Sequence, residues 1–450
     1  MSISVTETDQ PNQALKVKSG TPEDAAGVAS TAGIMSFIGS RVVQREASAI
    51  ETNSSLANSE THRTFLDISY FAGLDGLRCF SILAVIGYHA KLTTTLFQRG
   101  DLGVDLFFVI SGFLITTLLL REQASTGRVS LRAFYLRRGL RIFPAYYVVI
   151  ALYVGVVAAL ERGPEGHAFF QNLPAFLTYT SNWFVASDQF APEGRVIFYF
   201  AWSLATEEQF YLFWPSLIIL FGRRWFLSLA AISGLMVADL ALQFLIKSGA
   251  LDFGLNGNRA ATSIETPICL GCILAYVLHR PRSFAWAYRW LGQAWALPAL
   301  LLVLLAGCVS TATPSLVCYV VMALVVGACC IRPDPGANWL LCNAPVRYLG
   351  TISYGMYLLH MLSLNAAKRL PVGDGWLFLL TGLAITILVA TVSFHVLETP
   401  FLRLKDRIGR SPAHARKDTT VPLAAEGREE LERLGQEPSH KTPPDTPQNA

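Results

Sequence analysis

Residues 102–120 read LGVDLFFVISGFLITTLLL, a run with one ionisable side chain, Asp105. A helix needs roughly 20 apolar residues to cross ~30 Å of hydrocarbon, so this stretch reads as a membrane span. Runs of the same character recur at about 74–97, 142–160, 199–221, 225–246, 262–279, 292–310, 314–331, 346–364 and 375–397. The sequence therefore predicts an all-α, polytopic membrane protein with about ten transmembrane helices. Composition points the same way: 52% of residues are hydrophobic, 15% are charged, and mean hydropathy is +0.41. An average soluble chain is ~25% charged. The deficit excludes a disordered protein and argues against an ordinary cytosolic enzyme. A net charge of +4, scattered along the chain, gives no basic patch for nucleic acid.

The flanks differ from this core. Residues 1–62 are polar and lack sustained periodicity, which predicts a disordered cytoplasmic tail. Within it, AAGVASTAGIMSFIGS (25–40) reads as a short amphipathic helix, too far from the start to be a signal peptide. Residues 404–450 form a second polar, disordered tail with a short helix near 425–434, which leaves 63–403 as the transmembrane domain. The segment 168–186 is aromatic but broken by Gln171, Asn172, Pro174 and Asn182, and reads as a structured loop.

Lys and Arg in the loops set the orientation. The 121–141 segment holds Arg121, Arg128, Arg132, Arg137, Arg138 and Arg141, while the alternate loops are poorer, Lys368–Arg369 being the local exception. Both termini are expected in the cytoplasm, and the protein in the cytoplasmic membrane. The eight cysteines lie mostly within apolar runs. Cys269 and Cys272 form a CxxC without a second pair or a His cluster, so we expect neither a disulfide nor a metal site.

Ionised groups at the bilayer centre each cost ~2.5–3.5 kcal/mol, so those inside the spans must pair, sit near an interface or line a wet cavity. Arg78 and His89 lie eleven residues apart in the first span, which puts both on one face and ~16 Å apart along the axis. Alternating span direction puts His89, Asp105, Glu207 and His360 at similar depths, with Arg78 toward the other side. Asp239, Glu265 and His395 carry no assigned role.

Six stretches carry a family pattern. LDGLRCFSILAVIGYHA (74–90) holds an Arg-x10-His spacing. GDLGVDLFFVISGFLIT (100–116), FYLRRGLRIFPAYY (134–147), WSLATEEQFYLFWP (202–215), LGTISYGMYLLH (349–360) and ETP (398–400) follow in order. Together they resemble the integral-membrane acyltransferase 3 family across about 74–403. The resemblance implies a ten-helix enzyme that moves an acyl group, most often acetyl, from acyl-coenzyme A to a hydroxyl. Family acceptors include cell-surface polysaccharides, lipid-linked sugars, lipo-oligosaccharides and macrolides. Some members add an extracytoplasmic hydrolase-like domain; without one, transfer is expected to finish in the membrane domain. Some subgroups also hold a basic residue four positions before the first-span Arg, where this chain has Leu74.

Each role stands beside a plainer one. His89 suits a general base for the acceptor hydroxyl, with Asp105 or Glu207 fixing its ring. Arg78 suits a donor phosphate or the thioester end, or merely an ion pair with Asp75. Arg137, Arg138 and Arg141 suit polyanionic coenzyme A at the cytoplasmic mouth, or merely set topology. Ser111 suits an acyl-accepting nucleophile, or with Gly112 a close helix contact. Trp202, Tyr211, Tyr354 and His360 suit an acceptor route, or core packing. Expected partners are acyl-coenzyme A as donor substrate, a glycan or macrolide acceptor and membrane lipid, with no permanently bound cofactor. A proton-coupled transporter is the rival class, since buried Asp, Glu and His also suit relays.

Overall fold

The computed structural model describes residues 59–92, 94–185, 196–222, 224–332, 334 and 336–409. The N-terminal tail up to residue 58, with its expected helix at 25–40, and residues 410–450, with the expected helix near 425–434, lie outside the described residues. Two boundaries differ from expectation. A helix, Ser59–Asp67, covers the last residues of the expected N-terminal tail. The final helix runs Thr399–Gly409, past residue 403.

The described residues are overwhelmingly helical, with no strand among them. Helices close every backbone hydrogen bond within one segment, which a lipid environment requires. We number the principal helices α1 (Ala72–His89), α2 (Leu102–Thr126), α3 (Leu131–Leu160), α4 (Pro164–Leu177), α5 (Trp202–Phe221), α6 (Trp225–Lys247) and α7 (Thr266–His279). They continue with α8 (Pro281–Leu291), α9 (Ala296–Val309), α10 (Ser315–Cys330), α11 (Ala344–Thr351), α12 (Ser353–Ala367), α13 (Trp376–Ser393) and α14 (Thr399–Gly409).

Every expected span becomes helix, but their lengths differ. Among the described residues five helical stretches are long and apolar enough to cross a membrane, or up to seven if each bent pair counts as one. Helices α9, α10 and α12 have 14, 16 and 15 residues. At ~1.5 Å per residue none reaches ~30 Å alone. The expected span 346–364 is divided at Ile352 into α11 and α12.

Two expected loops are helices. Ser130 caps α3 by accepting from the Ala133 amide at 3.3 Å, so Arg132, Arg137, Arg138 and Arg141 all stand on a helix. The link from α2 is short and turns at Gly127, whose φ of +75° suits a residue without a Cβ. The expected loop at 168–186 falls largely in α4, started by Pro164 and anchored by buried Phe169 and Phe176. Asn172 does not break it, because its amide donates back to the Ala168 carbonyl.

Among the described residues the most extensive helix pairing joins α2 to α7. A Cβ on Gly112 would strike the Ile268 carbonyl, and a Cβ on Gly271 would strike the Val109 carbonyl. The two glycines thus let the backbones approach each other reciprocally, the small-residue packing usual between helices in lipid. Helix α1 is held in the same way: Gly350 of α11 seats against the Asp75 backbone, and Gly103 of α2 against Ser81. Cys308 and Cys342 are half-buried and the other cysteines buried, as small apolar side chains.

Candidate active site

Helix α1 carries one functional group at each end. At its last turn the His89 Nδ1 lies 2.8 Å from the Val85 carbonyl. A carbonyl only accepts, so Nδ1 carries the proton, and in the neutral form of the ring the lone pair would be on Nε2. The His360 ring stands beside it, with centroids 4.9 Å apart. His360 Nδ1 lies 2.6 Å from the Tyr357 carbonyl, so the same logic leaves its Nε2 as the acceptor. That Nε2 is buried without a hydrogen-bond partner among the described residues. Tyr199 and Phe200 complete the aromatic surround, with ring centroids 6.1 Å from His89 and 4.9 Å from His360. Phe198, just before them, has φ +71° and is wedged among Tyr153, Phe176 and Phe200. A bulky residue there is strained, and the aromatic packing holds it.

At the other end of α1, Arg78 pairs with Asp75 at 2.7 Å, and Asp75 also accepts from the Tyr70 hydroxyl. The plainer role expected for Arg78 is thus realised, yet Arg78 retains a second neighbour. Arg141, on α3, lies in the electrostatic field of Arg78, Arg138, Asp75 and Glu398. Arg141 keeps an exposed surface amid these groups.

Between the two ends lies a carboxylate cluster. Glu207 accepts from the hydroxyls of Ser111 and Tyr211 and faces Arg138 at 3.5 Å. The Arg138 guanidinium also sits 3.6 Å from the Tyr211 ring centroid. Both Glu207 and Glu208 act electrostatically on Arg138. Tyr354 donates to the Ile142 carbonyl at 3.1 Å, next to Arg141. Tyr357 meets Ser203 at 2.6 Å, each hydroxyl within reach of the Phe200 carbonyl. Tyr354, Tyr357 and His360 recur every three residues along α12, and Ser203, Glu207 and Tyr211 every four along α5. The Tyr357–Ser203 hydrogen bond joins these two helices.

The structure brings some predicted residues together and parts others. His89 and His360 meet, and Arg78, Arg138 and Arg141 share one region. Arg137 instead pairs with Glu122 of α2 at 3.0 Å. Glu207 engages Ser111, Tyr211 and Arg138. Asp105 lies in the field of Glu265, Asp101 and Arg99. Trp202 packs edge-on against Phe108. Ser111 donates its hydroxyl to Glu207, while Gly112 makes the backbone contact. His360, expected on an acceptor route, is fully enclosed.

The sequence reading gave no role to Tyr357, Ser203 or Glu398, and it noted Glu208 only as an ionisable group within a span. The three-residue recurrence of Tyr354, Tyr357 and His360 in LGTISYGMYLLH was a usable signal for Tyr357. Glu398, inside the quoted ETP, had only its motif. Asp239 and Glu265 are now placed: Asp239 accepts from Gln243 and Thr266, and Glu265 stands between Asp239 and Asp105 electrostatically. No group of His, Cys, Asp and Glu suited to a metal occurs among the described residues.

The fold and this interior define a multi-pass, all-α membrane protein with an ionisable site enclosed by its helices. An acyltransferase-domain family profile matches residues 71–395. The chain belongs to this integral-membrane acyltransferase family. Among curated proteins it is 29% identical over 360 residues to a "Putative O-acetyltransferase" of Staphylococcus aureus, covering 74% of this chain and 57% of that protein. It is 29% identical over 354 residues to the "Putative peptidoglycan O-acetyltransferase YrhL" of Bacillus subtilis, covering 74% and 55%. It is 29% identical over 368 residues to the "Peptidoglycan O-acetyltransferase OatA" of Listeria monocytogenes, covering 74% and 56%. The chain thus spans a little over half the length of the curated relatives it matches. No solved structure matches it.

Proposed function

We propose that this protein is an O-acyltransferase of the cytoplasmic membrane that moves an acetyl group from acetyl-coenzyme A to a hydroxyl of a cell-surface glycan. The observation that carries the reading is the separation of charge along α1. Guanidinium groups gather at one end, and a histidine with a lone pair at Nε2 stands at the other, ~16 Å away. A donor with phosphates at one end and a thioester at the other suits that spacing. The Lys and Arg bias of the sequence supports a cytoplasmic arginine end, where coenzyme A is found.

In the mechanism, Arg78, Arg138 and Arg141 take the donor's phosphates. His89 Nε2 removes the acceptor hydroxyl's proton as its oxygen attacks the thioester carbonyl. The new C–O bond forms, the C–S bond breaks, and the leaving thiolate takes the proton back from His89. Two relatives named for peptidoglycan support a glycan acceptor over a macrolide. Mass spectrometry of ester-linked acetyl groups, on surface glycans and on secreted metabolites, tests the reading in cells with and without the gene. Loss of glycan esters alone supports it. Unchanged glycan esters with altered metabolites would overturn the acceptor assignment.

A further inference from the structure

Glu398 is a buried carboxylate, 7% exposed, and its Oε1 has no hydrogen-bond partner among the described residues. Leaving such an oxygen unsatisfied is costly, so it calls for an occupant. Local structure puts it there. Residues Phe394–Glu398 form a π-helical turn between α13 and α14, and Thr399 Oγ1 closes back on the Phe394 carbonyl at 2.9 Å. Such turns reset the register of a helix and recur at functional sites. The turn and α14 both pack on α3, the helix that carries Arg141.

Three residues stand near the Glu398 carboxylate. Gly355 of α12 leaves room for it, since a Cβ there would stand 3.1 Å from Oε1. Tyr354, the preceding residue, reaches over to the Ile142 carbonyl beside Arg141. Arg141 itself is accessible and feels the Glu398 charge, yet no ion pair joins the two among the described residues. An unsatisfied acceptor oxygen and a cation thus lie within electrostatic reach of each other without pairing.

We propose that Glu398 is a donor-binding residue, accepting a hydrogen bond from an amide N–H or hydroxyl of the acyl donor's arm while Arg141 holds its phosphate. This rests on the acyl-coenzyme A reading above and adds a residue to which that reading gives no part. It also accounts for the glycine at 355, where any side chain would crowd the carboxylate.

Two variants of the full chain, purified in detergent, test it by coenzyme A binding and by the KM and kcat for acetyl-coenzyme A. Glu398→Leu removes the acceptor and should weaken binding and raise KM roughly tenfold, with kcat nearly unchanged. Glu398→Gln keeps an acceptor oxygen and should restore most of the affinity. Should the leucine variant fail to fold, Gly355→Ala displaces the carboxylate without removing it and should raise KM in the same sense. Wild-type affinity in a folded Glu398→Leu protein, or in Gly355→Ala where the leucine variant does not fold, would overturn the role of Glu398. Wild-type protein that binds no coenzyme A would instead remove the donor assignment beneath it.

Discussion

His89 and His360 stand with ring centroids 4.9 Å apart, each with its Nδ1 on a backbone carbonyl of its own helix. The pairing joins the last turn of α1 to the middle of α12. One ring is half-buried and the other fully enclosed. In the proposed mechanism the inner ring places the outer one.

Replacing His360 with Phe should keep the helix packed, because Phe200 and Tyr357 already line that site. It removes the polar ring beside His89. Acyl transfer should fall about tenfold or more in kcat, with the KM for the donor little changed. Steady-state kinetics in membrane vesicles would check this, and an unchanged kcat would count against a positioning role.

Glu207 binds Ser111, Tyr211 and Arg138 together. Truncating Arg138 to Ala strands that carboxylate. Both side chains are partly accessible, 21% for Arg138 and 18% for Glu207, so the loss should be nearer ~1–2 kcal/mol than the value for a fully buried pair. Glu207→Gln should cost less, since the amide oxygen still accepts from the two hydroxyls. Thermal denaturation in detergent would rank the two.

The reciprocal glycines of α2 and α7 predict a strong size effect. Gly112→Val and Gly271→Val each force side-chain carbons into a backbone carbonyl, and should destabilise by about 1–3 kcal/mol or more. Ser111→Ala, one residue away, should leave the packing intact. Comparable melting temperatures for Gly112→Val and the wild type would contradict the close approach.

Arg99 fastens the end of α9. Its Nη1 lies within 3.1 Å of the Gly307, Ser310 and Thr313 carbonyls, and its Nη2 lies 3.1 Å from the Ser315 hydroxyl. Arg99→Ala should loosen this link by about 1–3 kcal/mol. Hydrogen exchange at residues 307–315 would show it first, and unchanged protection there would refute the fastening.

The all-α membrane fold was legible because each apolar run must become a helix once water is removed. Helix ends were less legible. The arginine segment reads as a loop by charge, yet Ser130 caps a helix through it, and charge patterning alone does not register a cap. The loop reading of 168–186 weighed Asn172 and Pro174 as breaks, although Pro164 starts a helix and Asn172 bonds within it. For the site, the Arg-x10-His spacing showed that Arg78 and His89 share a face. It did not show which carboxylate approaches which partner, because depth along the membrane fixes only one coordinate. Glu207 thus turned to Arg138 and Ser111, and His360 to His89. Glu398 was least visible of all, because a π-turn that re-aims one side chain leaves no periodic trace.

The central claim is that the His89 Nε2 lone pair takes the proton of the acceptor hydroxyl. Its most direct test is the transfer of radiolabelled acetyl from acetyl-coenzyme A to glycan, in vesicles carrying equal amounts of correctly inserted wild-type or His89→Ala protein. We expect transfer by the variant to fall at least ~100-fold while coenzyme A binding persists. Transfer at the wild-type rate by the inserted variant would contradict the account.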